Sequence, residues 1–156
     1  MQRKQILVPV DLAKAERSYD ALQFVGGMAG DLQVHATLLY VINTNPATPG
    51  RELIDPYEGT FKALAGRFLA DCITKRFRLR AGKPHEQIVL EAEEQSLELI
   101  VLSRPNSSRW NWFRSRTAER VIRSAPCLTL VLPAVWNITP AQYRLAMSPL
   151  SADFAN

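Results

Sequence analysis

Ile6-Leu7-Val8-Pro9-Val10-Asp11 is a run of five apolar residues that ends on a carboxylate. No polar residue alternates within it, so a strand formed there presents apolar side chains on both faces, as strands inside a covered parallel sheet do. The basic residues Arg3 and Lys4 precede it, and the run is too short for a signal-peptide core or a membrane helix. It reads as the first strand of an α/β domain in a soluble, cytoplasmic protein with no membrane insertion.

Related runs recur downstream. Residues 34–42 (VHATLLYVI) are rich in β-branched and apolar side chains and read as a second strand; residues 97–102 (LELIVL) and 127–132 (CLTLVL) read as a fourth and a fifth. Residues 75–81 alternate Phe77, Leu79 and Ala81 with Arg76, Arg78 and Arg80, the period of a half-exposed edge strand whose charged face discourages pairing. Helical spacing fills the intervals. Leu22, Val25 and Ala29 predict a helix over residues 15–29, weakened inside by Gly26-Gly27, and Phe61, Leu64, Ala65, Phe68, Leu69 and Cys72 form the clearest amphipathic stripe. Pro84 opens a third helix with Ile88, Val89 and Ala92 inward and an end near Gln95. Ala118, Val121, Ile122 and Ala125 mark a fourth, which Ser115 is placed to cap. Residues 43–56 hold three prolines and a glycine and read as a loop. Strand and helix thus alternate throughout, and right-handed crossovers wind that order into an open five-stranded parallel sheet with helices on both faces, a Rossmann-like α/β fold.

With 156 residues, 47% of them hydrophobic, the chain has room for one such domain, residues 1–133. Residues 134–156 carry scattered apolar side chains and only two charges, Arg144 and Asp153, and are expected to pack on the body or on a dimer partner. The net charge of +4 is concentrated: residues 104–123 contain six arginines and a single acid, Glu119, which leaves the rest near neutral. Cys72 and Cys127 lack metal-ligand or disulfide spacing and are expected as reduced, mostly buried thiols. His35 and His85 stand fifty residues apart and read as ordinary surface or strand-end histidines. No nucleophile elbow, Walker loop, dinucleotide fingerprint or metal-ligand cluster is present, so no catalytic residue and no metal is assigned. Glu91 and Glu94 share one side of the third helix and read as a solvated acidic patch.

In an open α/β sheet, ligands bind beyond the carboxyl ends of the strands where the strand order reverses, which here lies between the first and fourth strands. At those places the chain resembles the universal stress protein family. The similar segments are the opening residues 6–11, Leu38-Leu39-Tyr40-Val41-Ile42, Gly82-Lys83-Pro84, Leu99-Ile100-Val101-Leu102 and, most specifically, Ala118-Glu119-Arg120-Val121-Ile122-Arg123-Ser124-Ala125-Pro126-Cys127. The resemblance runs colinearly from Ile6 to about Pro133. It implies strand order 3-2-1-4-5 (adenine nucleotide alpha hydrolase-like), a homodimer built through the fifth strand, and a role in stress physiology. It also implies that Asp11 stands where nucleotide-binding members use an aspartate for the adenine, and Val41 where a valine lies beside the base. A carboxylate at a strand end equally caps the following turn, and both readings of Asp11 stand.

The phosphate loop departs from the pattern. Glycine, two residues, glycine, nine residues, glycine, then serine or threonine is the family's arrangement, and the matching places hold Leu102, Pro105, Ser115 and Arg116. Glycines let backbone N–H groups turn toward phosphate with no side chain in the way; leucine disfavours that geometry, and proline has no N–H to offer. In one reading the site is abandoned, Trp110, Trp112 and Phe113 close the crevice, and a non-catalytic stress protein acts through an unidentified protein partner with no cofactor. In the second, Arg104, Ser115 and Arg116 hold a phosphate by side chains at a helix N-terminus, making an ATP- or adenine-nucleotide-binding switch with Asp11 and Val41. A third takes the arginines and aromatics of residues 104–116 as a nucleic-acid-binding loop, a weak signal in a single loop.

Overall fold

The computed structural model of the chain describes residues 3–29, 33–52, 56–103 and 116–132. Strand β1 (Arg3–Val10) leads through a 3-10 turn (Ala15–Ser18) into α1 (Tyr19–Gly27). There follow β2 (Gln33–Ile42), β3 (Thr48–Glu52), α2 (Glu58–Phe68), β4 (Thr74–Ala81), α3 (Pro84–Glu94), β5 (Leu99–Ser103), α4 (Thr117–Ser124) and β6 (Leu128–Leu132). The spatial order is β3-β4-β2-β1-β5-β6. The strands β4, β2, β1, β5 and β6 are mutually parallel and reproduce the expected order 3-2-1-4-5.

Among the described residues the sheet nevertheless has six strands and is mixed, not five-stranded and parallel. Residues 48–52, expected within a loop, form β3 and pair antiparallel with β4. Pro49 lacks an N–H, which an edge strand tolerates because one side of its ladder is unpaired. Gly50 permits the close approach: a Cβ there would lie 2.8 Å from Arg80 Nε and 2.9 Å from Arg78 Nη2. A register shift between Thr48 and Arg51 marks a local bulge.

Alternation along the strands divides the core into two layers. Ile6, Val8, Ala36 and Leu38 face α1 and α2, where Leu22, Phe24, Val25, Phe61 and Leu64 are buried. Leu7, Leu39 and Ile100 face α3 and α4, against Ile88, Ala92 and Val121. The expected first helix is shorter than the 15–29 span, because the 3-10 turn precedes it and it stops at Gly27. Gly26 is where α1 meets α2: a Cβ would lie 2.0 Å from the Phe68 carbonyl oxygen, so the glycine that weakens the helix also lets it pack.

Four further expectations fail. The third expected strand is not an edge and its arginines are not all solvated: only Arg76 is exposed, while Arg78 and Arg80 are buried beneath β3 and α3. Glu91 belongs to no solvated patch. Fully buried, it accepts hydrogen bonds from Arg78 Nε at 2.6 Å and Arg80 Nε at 2.5 Å. Arg80 also reaches the half-exposed Glu94 carboxylate and donates to Gln87 Oε1 at 3.3 Å. A buried carboxylate is retained as a charge only when paired, and the cationic row of β4 supplies its partners. Cys72 is exposed because α2 ends at Phe68 and Leu69 is extended, ending the stripe before the cysteine; both cysteines are free. Ile122, expected inward, is 55% exposed; its helix, α4, lies beside β6, the last strand in the described order.

Candidate functional site at the carboxyl ends of the strands

Strands β1 and β5 are neighbours at the centre of the sheet, and the helices that follow them, α1 and α4, pack in opposite core layers. The crevice this creates has a volume of about 710 Å3. Its floor is the end of β1 with Leu39 and Val41 of β2 and Leu102 of β5, and its walls are the amino-terminal turns of α3 and α4.

Asp11 sits at its mouth with most of its capacity engaged. Its Oδ1 accepts the N–H groups of Ala13 and Lys14 at 3.0 and 3.1 Å, and its own N–H donates to Ser18 Oγ at 3.0 Å. Its Oδ2 lies 3.7 Å from Arg17 Nη1, a half-exposed pair that contributes little energy. The carboxylate therefore caps the turn after β1 and leaves one oxygen directed at solvent and Arg17. Tyr40 beside it has its hydroxyl pKa raised, first by burial and then by the charges of Asp11 and Tyr57. At the carboxyl end of β5, Ser103 Oγ accepts the Ala21 N–H at 2.9 Å, satisfying a first-turn donor of α1 that Ser18 leaves free.

Among the described residues, four with cationic side chains, Arg17, Lys83, Arg116 and Arg120, line the crevice against a single carboxylate, Asp11. Arg116 occupies the N-cap position of α4 with no side-chain capping bond of its own. Lys83 holds the corresponding position on α3, whose first residue is Pro84, and His85 follows. The structure thus brings Asp11, Val41 and Arg116 to one crevice. Arg104 and Ser115, with Trp110, Trp112 and Phe113, lie outside the described residues. Sequence reasoning missed Lys83 and His85, read as a helix start and a surface histidine. The available signal was Pro84, which begins α3 at the carboxyl end of β4 and so aims its first turn at the crevice.

The model of the Universal stress protein family matches residues 2–133, which include every described residue. The chain belongs to the universal stress protein family. Solved structures of similar fold include hypothetical protein MJ0577, at 22% identity over 82% of this chain and 94% of that one with a TM-score of 0.64. A universal stress protein in complex with cAMP is similar at 16% identity over 85% and 98% of the two chains, with a TM-score of 0.62. The universal stress protein UspA from Lactobacillus plantarum follows at 19% identity over 85% and 100%, with a TM-score of 0.53. Curated protein sequences give no significant match. Among the described residues of this universal stress protein, no helix is long and apolar enough to cross a membrane, and no cluster of side chains is suited to a metal ion.

Proposed function

We propose that this universal stress protein is a non-catalytic cytoplasmic regulator whose crevice takes an adenine nucleotide or a closely related phosphorylated ligand, held by arginine and lysine side chains. The carrying observation is that Arg17, Lys83, Arg116 and Arg120 share one crevice with Asp11, the one carboxylate among its described lining residues, at the point where the strand order reverses. Guanidinium groups supply directly the donors that a glycine loop supplies through its backbone, and the N-terminal ends of α3 and α4 add favourable field. Leu102 at the first glycine position argues against the usual family manner of holding ATP. Val41 and Asp11 are nevertheless both among the residues that line the crevice. The cAMP complex of a similar fold supports a phosphorylated adenine compound as the ligand class.

The test is ATP affinity in Arg116→Ala and Asp11→Ala variants. Losing a charge-assisted contact of about 1.5–3 kcal/mol makes Arg116→Ala bind roughly 10- to 100-fold more weakly. Unchanged affinity in Arg116→Ala would sink the arginine-held site.

Regulation through a partner or a second copy is favoured by the other edge of the sheet. Leu128 on β6 is 75% exposed and Ile122 beside it 55%, on an edge strand of sequence LTLVL that carries no charge to discourage pairing. We infer a homodimer through β6, with residues 134–156 as an extension against the body or the second copy. Leu128→Glu is expected to give a monomer by light scattering while the fold persists; a dimer unaffected by it would place the interface elsewhere.

A further inference from the structure

The charges that line the carboxyl-end crevice do not balance. Asp11, the one carboxylate among its described lining residues, is engaged: Oδ1 accepts two backbone N–H groups and Oδ2 faces Arg17 Nη1 at 3.7 Å. Arg17 and Asp11 are neutral as a pair. Of the remaining cations, Lys83 has an acid near it, Glu86 at 3.8 Å, which does not line the crevice.

Arg116 and Arg120 have none. The Arg120 N–H donates to the Arg116 carbonyl at 2.9 Å, so the two residues stand one helical turn apart on α4. Side chains at that spacing share a face, and long side chains on a helix slope back toward its N-terminus, which carries Arg120 over the turn that Arg116 begins. Both residues are exposed and both line the crevice. Glu119, the acid on the same helix, is held by Arg123 at 2.8 Å, and among the described residues neither Arg116 nor Arg120 has an acidic partner. Residues 104–115, which join β5 to α4, contain no Asp or Glu. Like charges four residues apart repel, so an anion that spans both guanidinium groups relieves the helix.

Magnesium is usually held at a nucleotide site by one or two carboxylates together with the phosphates. This crevice offers one carboxylate oxygen beside a guanidinium, and its surplus cations oppose a divalent cation on the ligand. Resting on the reading of the crevice as a phosphate site, we infer that its ligand enters as a metal-free polyphosphate, a nucleoside di- or triphosphate, with Arg116 and Arg120 together neutralising the phosphate charge that magnesium neutralises in solution. Arg120 is the residue that sets this preference, because it adds the second guanidinium to the one at the helix start.

Calorimetric titration of the nucleotide-stripped full chain with ATP, once in excess EDTA and once in excess magnesium at matched ionic strength, tests the inference. AMP, which holds magnesium weakly, is the control. ATP is expected to bind at least about threefold more tightly in EDTA, and AMP equally in both. Magnesium leaves ATP weaker than its metal-free form yet still tighter than AMP. Arg120→Ala should weaken metal-free ATP about tenfold and narrow the difference between the two conditions, with the melting temperature held because the side chain is exposed. ATP that binds only with magnesium, equal affinity in the two conditions, a difference that Arg120→Ala leaves intact, or a change in AMP as large as that in ATP would each overturn the inference while the crevice remained a phosphate site. No saturable ATP binding in either condition would remove the reading of the crevice and the inference with it.

Discussion

Glu91 is the residue on which the α3 face of the sheet turns. Its carboxylate has no contact with water and is held by two guanidinium groups from alternate positions of one strand. Removing it leaves Arg78 and Arg80 buried without their shared partner. Glu91→Ala is therefore expected to lower stability by about 3–5 kcal/mol in urea unfolding. Replacing Arg78, Arg80 and Glu91 together by Leu or Met should come close to neutral, because the cost of desolvating three charges disappears with them. Tyr40 offers a pH readout of the crevice. Its phenol is raised above 10.0 by burial and by Asp11, so the folded state holds this proton more tightly than the unfolded chain. The associated stability is present below pH 10 and is lost as pH rises through the folded value. Spectrophotometric titration of Asp11→Asn should show this phenol ionising at lower pH than in the parent protein; an unchanged titration would mean that Asp11 carries no field at Tyr40.

At the scale of elements, β3 is a strap across the buried ion cluster. A side chain at residue 50 has to displace Arg80 or Arg78, so Gly50→Val is expected to cost about 1–3 kcal/mol and to accelerate hydrogen exchange in β4. Exchange in β4 equal to that of the parent protein would show that β3 does not protect it. This strap was the part of the fold least legible in the sequence. Thr48-Pro49-Gly50-Arg51-Glu52 has no apolar alternation, and proline with glycine is the chemistry of turns. The strand becomes intelligible only when Arg78 and Arg80 are seen to need a cover that carries no side chain where it meets them, at Gly50. The same long-range cause hid Glu91: period-two charge on β4 and helical spacing of acids on α3 each look solvated alone, and pair only once the two elements face each other. The five apolar or alternating strands, by contrast, carry their signal locally, and all five are present in the expected order.

For the molecule as a whole, the doubly wound order decides where chemistry can sit, and both ends of the sheet carry charge. The carboxyl-end crevice was partly legible: Asp11, Val41 and Arg116 meet there, although Asp11 is largely occupied as a turn cap. Lys83 and His85 were not, because their positions depend on where α3 begins relative to β1 and β5. In the proposed function, side-chain cations replace the glycine loop in gripping phosphate. This replacement is tested most directly by calorimetric titration of the nucleotide-stripped protein with adenosine, AMP, ADP and ATP, each with magnesium. Saturable binding that strengthens with each added phosphate and weakens on raising salt is the expected result. No saturable heat with any of the four, or equal affinity for adenosine and ATP, would contradict a phosphate-gripping crevice.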